Sequence, residues 1–411
     1  MRQSKKFRKV LLIIAVLFFP LLSFNCGLLA DEVKVTEEVR IRSEIRNNAD
    51  FNSSLNDYQN FAGDRVRLNI SEKWNDSAKF FASVQHARNT GTTPDFISLY
   101  QGYFEMGKVL KFKVGRQEYN LGDNRLVGNG NWTNSARSFD SVRMDYHHGN
   151  TDWMIFDAKL VKTFNQPAGS DQYLYGTYNR WQINKFNLLE TYFLGKYVMF
   201  GGAGNRNLNI YTAGCRYVYD RKPWYLEIEP PIQWGDNGRL IHSAYAYSIV
   251  GSYEFKSPFK PRLQFERAFA TGDPNPNDLS DNTFDNLYPT NHKRLGIIDY
   301  QSWKNLDYWK IGLELKPSKK LTVNADYNFF KLAEARDAWY RADGSIIMQD
   351  PTGRSGTDTG KELDLYGVYK INDNLTLSLG NATFYPGDYV KKLKGKADPS
   401  TWLYFQIEYK N

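Results

Sequence analysis

The chain of 411 residues has only two cysteines, Cys26 and Cys215, and five histidines. Cys26 lies in a segment read below as a leader, which leaves Cys215 alone. No intramolecular disulfide can then form, and no Cys-x-x-Cys pair exists to hold zinc. The histidines, His86, His147, His148, His242 and His292, are scattered apart from one adjacent pair. There is no Gly-x-Ser-x-Gly elbow, no His-Glu-x-x-His pair and no phosphate-cradling glycine loop. A barrel hydrolase assembled from separate strands stays open as a minor alternative, but no motif calls for it. After residue 30, no apolar run approaches the roughly 18 residues that a membrane-crossing helix needs.

Charge of one sign is also missing once the leader is set aside. Residues 1–30 carry Arg2, Lys5, Lys6, Arg8 and Lys9, then an apolar stretch from Val10 to Phe24 broken by Pro20, and the small-residue site Leu28-Leu29-Ala30. That order is the pattern of a cleaved export signal, so the mature chain is expected to span residues 31–411. Removing five basic and no acidic residues leaves 48 basic against 45 acidic. The basic residues sit singly among acids rather than in clusters, which excludes a nucleic-acid partner.

What the chain has in abundance is alternation. Val33, Val35, Val39, Ile41 and Ile45 share one side of a strand, while Lys34, Thr36, Glu38, Arg40, Arg42, Glu44 and Arg46 share the other. Successive strand side chains point to opposite faces, so such a strand meets an apolar phase on one side and water on the other. The pattern recurs at 33–46, 61–73, 79–88, 97–106, 110–119, 138–147, 152–163, 172–181, 186–198, 207–219, 223–233, 239–255, 260–270, 304–315, 320–332, 361–371, 374–386 and 400–409. Tight turns rich in Asn, Asp, Gly and Pro alternate with long polar segments at 47–60, 120–137, 271–303, 333–360 and 387–399. These features predict an all-β protein, an 18-stranded antiparallel transmembrane β-barrel in the outer membrane of a Gram-negative cell. Its tight turns would face the periplasm and its long loops the exterior. Propeller-type repeats are absent, and no linker divides the chain as a large sandwich would require.

Eighteen strands enclose a lumen too wide for side chains alone to fill, so function should be written on the inward residues. Alternation turns Arg40, Arg42, Arg65, Arg67, Arg143 and Arg262 inward, along with acids such as Glu266, Glu314, Glu362 and Asp364. Arginine is concentrated on the first two strands. A fixed cationic wall lowers the barrier for a negative solute, and a guanidinium grips a carboxylate with two bonds. The competing reading is that these arginines pair with lumenal acids and merely line a wet interior. In the segment 271–303, Asp273, Asp278, Asp281 and Asp285 read either as a divalent-cation site or as a solvated acidic loop, the latter favoured.

Three segments carry a family resemblance: Val114–Gly128 (VGRQEYNLGDNRLVG) with Asn131-Trp132 and Ala136–Asp140 (ARSFD); Ala270–Asp273 (ATGD) with Thr283–Asp285 (TFD); and Gly360–Leu365 (GKELDL) leading to Phe384–Asp388 (FYPGD). They resemble the alginate export family of outer-membrane barrels, in the expected order and across most of residues 33–410. The resemblance implies a monomeric 18-stranded barrel without cofactors, with an arginine-rich, anion-selective pore for a polyuronate chain. Carried onto matching positions, it implies that Arg116, Asp123, Arg125, Arg137 and Asp140 shape a constriction and the loop folded into it. The partners it implies are outer-membrane lipid and an anionic saccharide or polyuronate, with a periplasmic secretion scaffold as a further candidate. The alternative kept open is a general or oligosaccharide diffusion porin.

Overall fold

The computed structural model describes residues 32–89, 97–162, 170–200 and 207–411. Residues 1–30, read above as a leader, lie outside the described residues. The wall consists of eighteen strands. They are β1 (Glu32–Asn47), β2 (Gln59–Asn75), β3 (Ala78–Asn89), β4 (Ile97–Met106), β5 (Leu110–Gln117) and β6 (Phe139–His148). Next come β7 (Thr151–Leu160), β8 (Ser170–Asn184), β9 (Asn187–Phe200), β10 (Leu208–Arg221), β11 (Trp224–Glu229 with Ile232–Asn237) and β12 (Leu240–Glu254). The series ends with β13 (Arg262–Ala270), β14 (Leu306–Leu315), β15 (Leu321–Lys331), β16 (Asp358–Lys370), β17 (Leu375–Pro386) and β18 (Ser400–Lys410). Each pairs antiparallel with its sequence neighbours, and β1 closes the ring on β18 from Glu38↔Lys410 to Asn47↔Thr401. Closure leaves no edge strand, so the backbone groups of the wall are satisfied within it.

The predicted strands all form, with ends moved by a few residues. The largest departure is β11, where Pro230-Pro231 interrupts the ladder because proline brings no N–H. The register is kept on both sides, with Tyr217↔Ile228 below the break and Ala213↔Ile232 above it. Alternation sets the faces as expected. On β12, His242, Ala244, Ala246, Ser248 and Val250 are buried inward, while Ile241, Tyr245 and Ile249 face out. Most outward side chains are apolar, which suits hydrocarbon, and the charged ones discussed below lie near the loop ends of their strands.

Long segments cap and enter one end of the barrel, the end opposite both termini. Phe51 from residues 48–58, Tyr300 from residues 271–305 and Trp339 from residues 332–357 meet the wall residue Phe384. Phe51 stacks on Trp339 at 5.9 Å, and Tyr300 meets Phe384 edge-on at 5.5 Å. Burial of several aromatic rings from separate loops in one cluster gives these loops a shared core, and each ring adds on the order of 2–3 kcal/mol of transfer energy. A short helix, α1 (Asp388–Lys394), buries Tyr389 and Val390 and ends at Gly395. That glycine adopts the left-handed conformation (φ 72°) that closes a helix at little cost.

Candidate channel constriction

Residues 118–138, between β5 and β6, cross the lumen. The segment leaves the wall with Tyr119, whose ring packs at 4.6 Å on Phe156 and whose hydroxyl donates to Ser141. At Gly122 (φ 54°) it turns so close to the wall that a Cβ would lie 2.7 Å from the Tyr178 hydroxyl. Arg125 then reaches Glu266 on β13 at 2.8 Å, with its guanidinium 5.1 Å from the Trp303 ring centroid. Leu126 to Gly128 run beside Tyr288. The Tyr288 amide donates to the Leu126 carbonyl (2.8 Å), and the Gly128 amide donates to the Tyr288 carbonyl (2.9 Å). Arg137 closes the contact by donating to the carbonyls of Gly128 (2.8 Å) and Tyr288 (2.6 Å). Burial pulls its guanidinium down to about 10, still cationic at neutral pH.

The far end of this crossbar is held by the arginines of β1 and β2. Arg40 donates to the carbonyls of Asn131 (2.6 Å) and Thr133 (3.0 Å) and to the Asn134 side chain (2.7 Å). Arg42 donates to the Trp132 carbonyl (2.7 Å), lies 3.9 Å over its indole and pairs with Glu44. Arg65 donates to the Asn131 carbonyl (3.2 Å) and to Glu38. Arg67 donates to Gln85 (2.8 Å) and to the Asn131 side chain (3.0 Å), with Tyr100 stacked at 3.9 Å. All four arginines are buried, Arg65 completely. Alternation therefore placed them correctly inside the barrel, but their donors grip loop oxygens rather than facing open water. Hydrogen bonds from charged donors contribute about 1.5–3 kcal/mol each, so the clamp is strong.

The remaining predicted residues divide. Asp123 pairs with Arg294 of the segment 271–305, inside the barrel. Arg143 pairs with Asp145 at 2.8 Å on the lumenal side of β6. Arg262 meets Glu314 at 3.1 Å near the turn end of β13. Arg116 and Asp140 do not reach the constriction. They share a face with outward Val114 and Val142, which are 49% and 56% exposed, and bind each other at 2.8 and 3.1 Å across β5 and β6. The strand parity overrides the expectation drawn from the motif.

The four loop acids each serve the protein. Asp278 accepts from Asn275 and Ser280, and Asp273 from the Asn275 amide. Burial alone would raise Asp281, but hydrogen bonds from His242 and Asn237 hold its carboxyl at about 2. Asp285 is likewise favoured by burial to rise, yet Lys196 at 2.8 Å holds it below the usual range. Among the described residues no cluster of His, Cys, Asp and Glu is arranged to hold a metal ion.

Below the crossbar, on the side of the tight turns, lies a cavity of about 790 Å³. Lys79, Lys111, Lys113, Arg143, Arg180 and Arg216 line it, against Glu105, Asp145, Asp152 and Glu190. Lys79, Lys111, Lys113, Arg180 and Arg216 escaped the sequence reading, although alternation on β3, β5, β8 and β10 points each inward. Across the lumen the wall turns acidic, with buried Glu227, Glu229, Glu266, Glu362 and Asp364 on β11, β13 and β16. The crossbar thus bridges a cationic wall and an anionic one.

Comparisons agree with this architecture. Residues 31–403 match the model of the family described as Alginate export. Among solved structures the barrel is similar to Pseudomonas aeruginosa OccK8 (OprE), at TM-score 0.62 and 13% identity, covering 93% of this chain and 98% of that one. OccD3 (OpdP) of the same organism aligns at TM-score 0.63 and 13% identity, covering 93% of each chain. OpdQ, also from Pseudomonas aeruginosa, gives 0.63 and 12%, over 93% and 99%. At such identities the likeness speaks for the fold. A search of curated proteins returned no match.

Proposed function

The chain belongs to the alginate export family, and from that premise we propose that this outer-membrane channel passes anionic saccharides, with an alginate-like polyuronate as the fullest form of the substrate. The observation that carries the reading is the clamp of Arg40, Arg42, Arg65 and Arg67 on the oxygens of residues 131–134. Only Glu38 and Glu44 lie in ion-pair contact with these four cations among the described residues. The wall therefore keeps a cationic excess, and the loop carbonyls stand where the oxygens of a carboxylate would bind. A uronate chain can exchange its carboxylates for these carbonyls one at a time, so no guanidinium has to be stripped bare during passage. The cavity below, with six bases against four acids, extends the same preference towards the periplasm.

Transport rather than catalysis fits this lumen, since the four arginines of β1 and β2 serve to anchor the crossing loop and to pair with Glu38 and Glu44. A second reading, a diffusion porin for small anions or oligosaccharides, is favoured by one observation. The loop core built on Phe51, Tyr300 and Trp339 occupies the outer end and narrows what can enter. Residues 1–30 act in this reading as a leader removed on export, which the N-terminal sequence of the outer-membrane protein would check.

The deciding experiment is the reversal potential of single channels in a salt gradient, followed by block with oligouronates and with neutral oligosaccharides of equal length. Anion preference with block by uronates alone supports the polyuronate reading. Anion preference without block supports the small-anion porin. Cation preference overturns both.

A further inference from the structure

We infer that the outer end of the β14–β16 wall, with the adjoining α1 segment, is a binding surface for a phosphate-bearing lipid headgroup of the outer leaflet. The argument starts from face and height. Lys331 and Lys361 are exposed and share the outward face with Trp309 (43% exposed) and Tyr385 (45%). The register runs Trp309↔Phe329, Phe329↔Lys361 and Lys361↔Tyr385 across neighbouring strands. All lie within about four residues of the loop ends of their strands. Aromatic rings at that height mark the membrane interface, where a lysine meets headgroups rather than hydrocarbon.

Neither lysine forms an ion pair among the described residues. Arg267, on the same face, is already held by Asp307 and lies 4.4 Å over the Trp309 ring. Two grooves, of about 410 and 810 Å³, share Asp358, Gly360 and Lys361, so they form one continuous surface. The upper groove adds Lys391 and Lys396, from a run of four lysines between residues 391 and 396. Four acids also line the grooves: Asp307, Asp358, Asp388 and Asp398. Asp307 is taken by Arg267, and Asp398 accepts from the Ser53 amide and hydroxyl. Lys331, Lys361 and Lys391 are thus left facing the interface with two acids between them. The outer ends of β9 and β12 differ, presenting Phe200, Ile241 and Tyr245. A basic patch at interface height, beside rings that pack on acyl chains, complements a lipid that carries phosphate on its sugar or glycerol.

The test compares retention of a diphosphorylated acyl-glucosamine lipid and of its dephosphorylated form by the refolded barrel, read by native mass spectrometry from detergent. The wild-type barrel should retain the phosphorylated lipid at least about tenfold better, since each lysine near a surface is worth about a fivefold gain. K331Q/K361Q/K391Q should abolish the preference, while K256Q/K260Q at a periplasmic turn should keep it. Equal retention of the two lipids by the wild type overturns the proposal, and that comparison needs no variant to fold. An unchanged preference in a triple variant that still shows heat-modifiable migration overturns it as well. Displacement of the lipid by millimolar inorganic phosphate would assign the site to a free anion instead.

Discussion

Arg40 and Arg65 face each other in register across β1 and β2, and both donate to the carbonyl oxygen of Asn131. Two like charges directly opposite on a sheet repel, and here both are buried. The pair persists because a loop oxygen sits between them and because Glu38 binds Arg65 and lies 3.8 Å from Arg67. Constriction and stability are therefore coupled: removing the loop or Glu38 exposes the same unbalanced charge.

Glu38→Gln should cost about 3–5 kcal/mol, the usual penalty for breaking a buried ion pair from one side. In an Arg65→Gln background the same change should cost much less, because the stranded cation is gone. Urea unfolding of the refolded barrel, followed by heat-modifiable migration, measures both. Equal costs in the two backgrounds would show that Glu38 acts independently of Arg65.

Much of this was legible beforehand. Alternation alone turned Arg40, Arg42, Arg65 and Arg67 inward, and it gave the strand number, because a period of two survives in every wall segment. The occupants of the lumen were not legible. Phe51, Tyr300, Trp339 and Phe384 come from segments far apart in the chain, and nothing local in their sequence announces the contact. Arg116 and Asp140 mark the opposite failure. Val114 and Val142 already placed both residues on the lipid face by parity, yet the motif around them suggested the constriction. Lys113 and Arg216 were within reach of the same rule.

Lys111→Gln with Lys113→Gln should move the reversal potential towards the cation limit without changing barrel stability greatly. Lys113 lies 3.1 Å from Glu105 and Lys111 at 4.0 Å, so neutralising both removes two cations from the cavity and leaves Glu105 paired with Lys79 alone, at 3.2 Å, among the described residues. A fixed charge in a narrow aqueous path acts through a lower dielectric than bulk water, which amplifies the change. An unchanged potential would mean that ions do not cross this cavity.

Arg137→Ala should free the crossbar at its contact with residues 286–290. The Gly128 and Tyr288 carbonyls lose a shared charged donor, a loss of about 3 kcal/mol for the two bonds. Single-channel records should become noisier and mean conductance should rise. Quiet records with unchanged conductance would show that the other anchors suffice.

Acid should loosen the segment 271–305 through Asp281. Its carboxyl sits at about 2 when folded against an ordinary 3.8. The folded value is depressed, so the stabilisation is present above about pH 4 and fades as pH falls towards 2. At roughly 1.4 kcal/mol per unit it amounts to about 2–3 kcal/mol. Asp281→Asn should remove this part of the acid sensitivity in protease nicking of the segment between pH 4 and 2. A variant as acid-sensitive as the parent would place the sensitivity elsewhere.

The outward pair of Arg116 and Asp140 supplies the sharpest test of register. Both lie on the lipid side near the loop end of β5 and β6, and Arg116 also donates to the Leu99 carbonyl at 2.9 Å. Arg116→Leu leaves Asp140 unpaired against the membrane, and Asp140→Leu leaves Arg116. Charges on the lipid face cost about 0–1 kcal/mol near an interface and about 2–4 kcal/mol at mid-membrane, so each single change should destabilise modestly. The double change to leucine should recover most of the loss, because a pair of ions replaced by apolar side chains is often neutral or stabilising. Ion selectivity should stay the same in all three variants, since neither side chain meets the permeation path. A selectivity shift in the Arg116→Leu channel would return this arginine to the lumen and reverse the facing of β5.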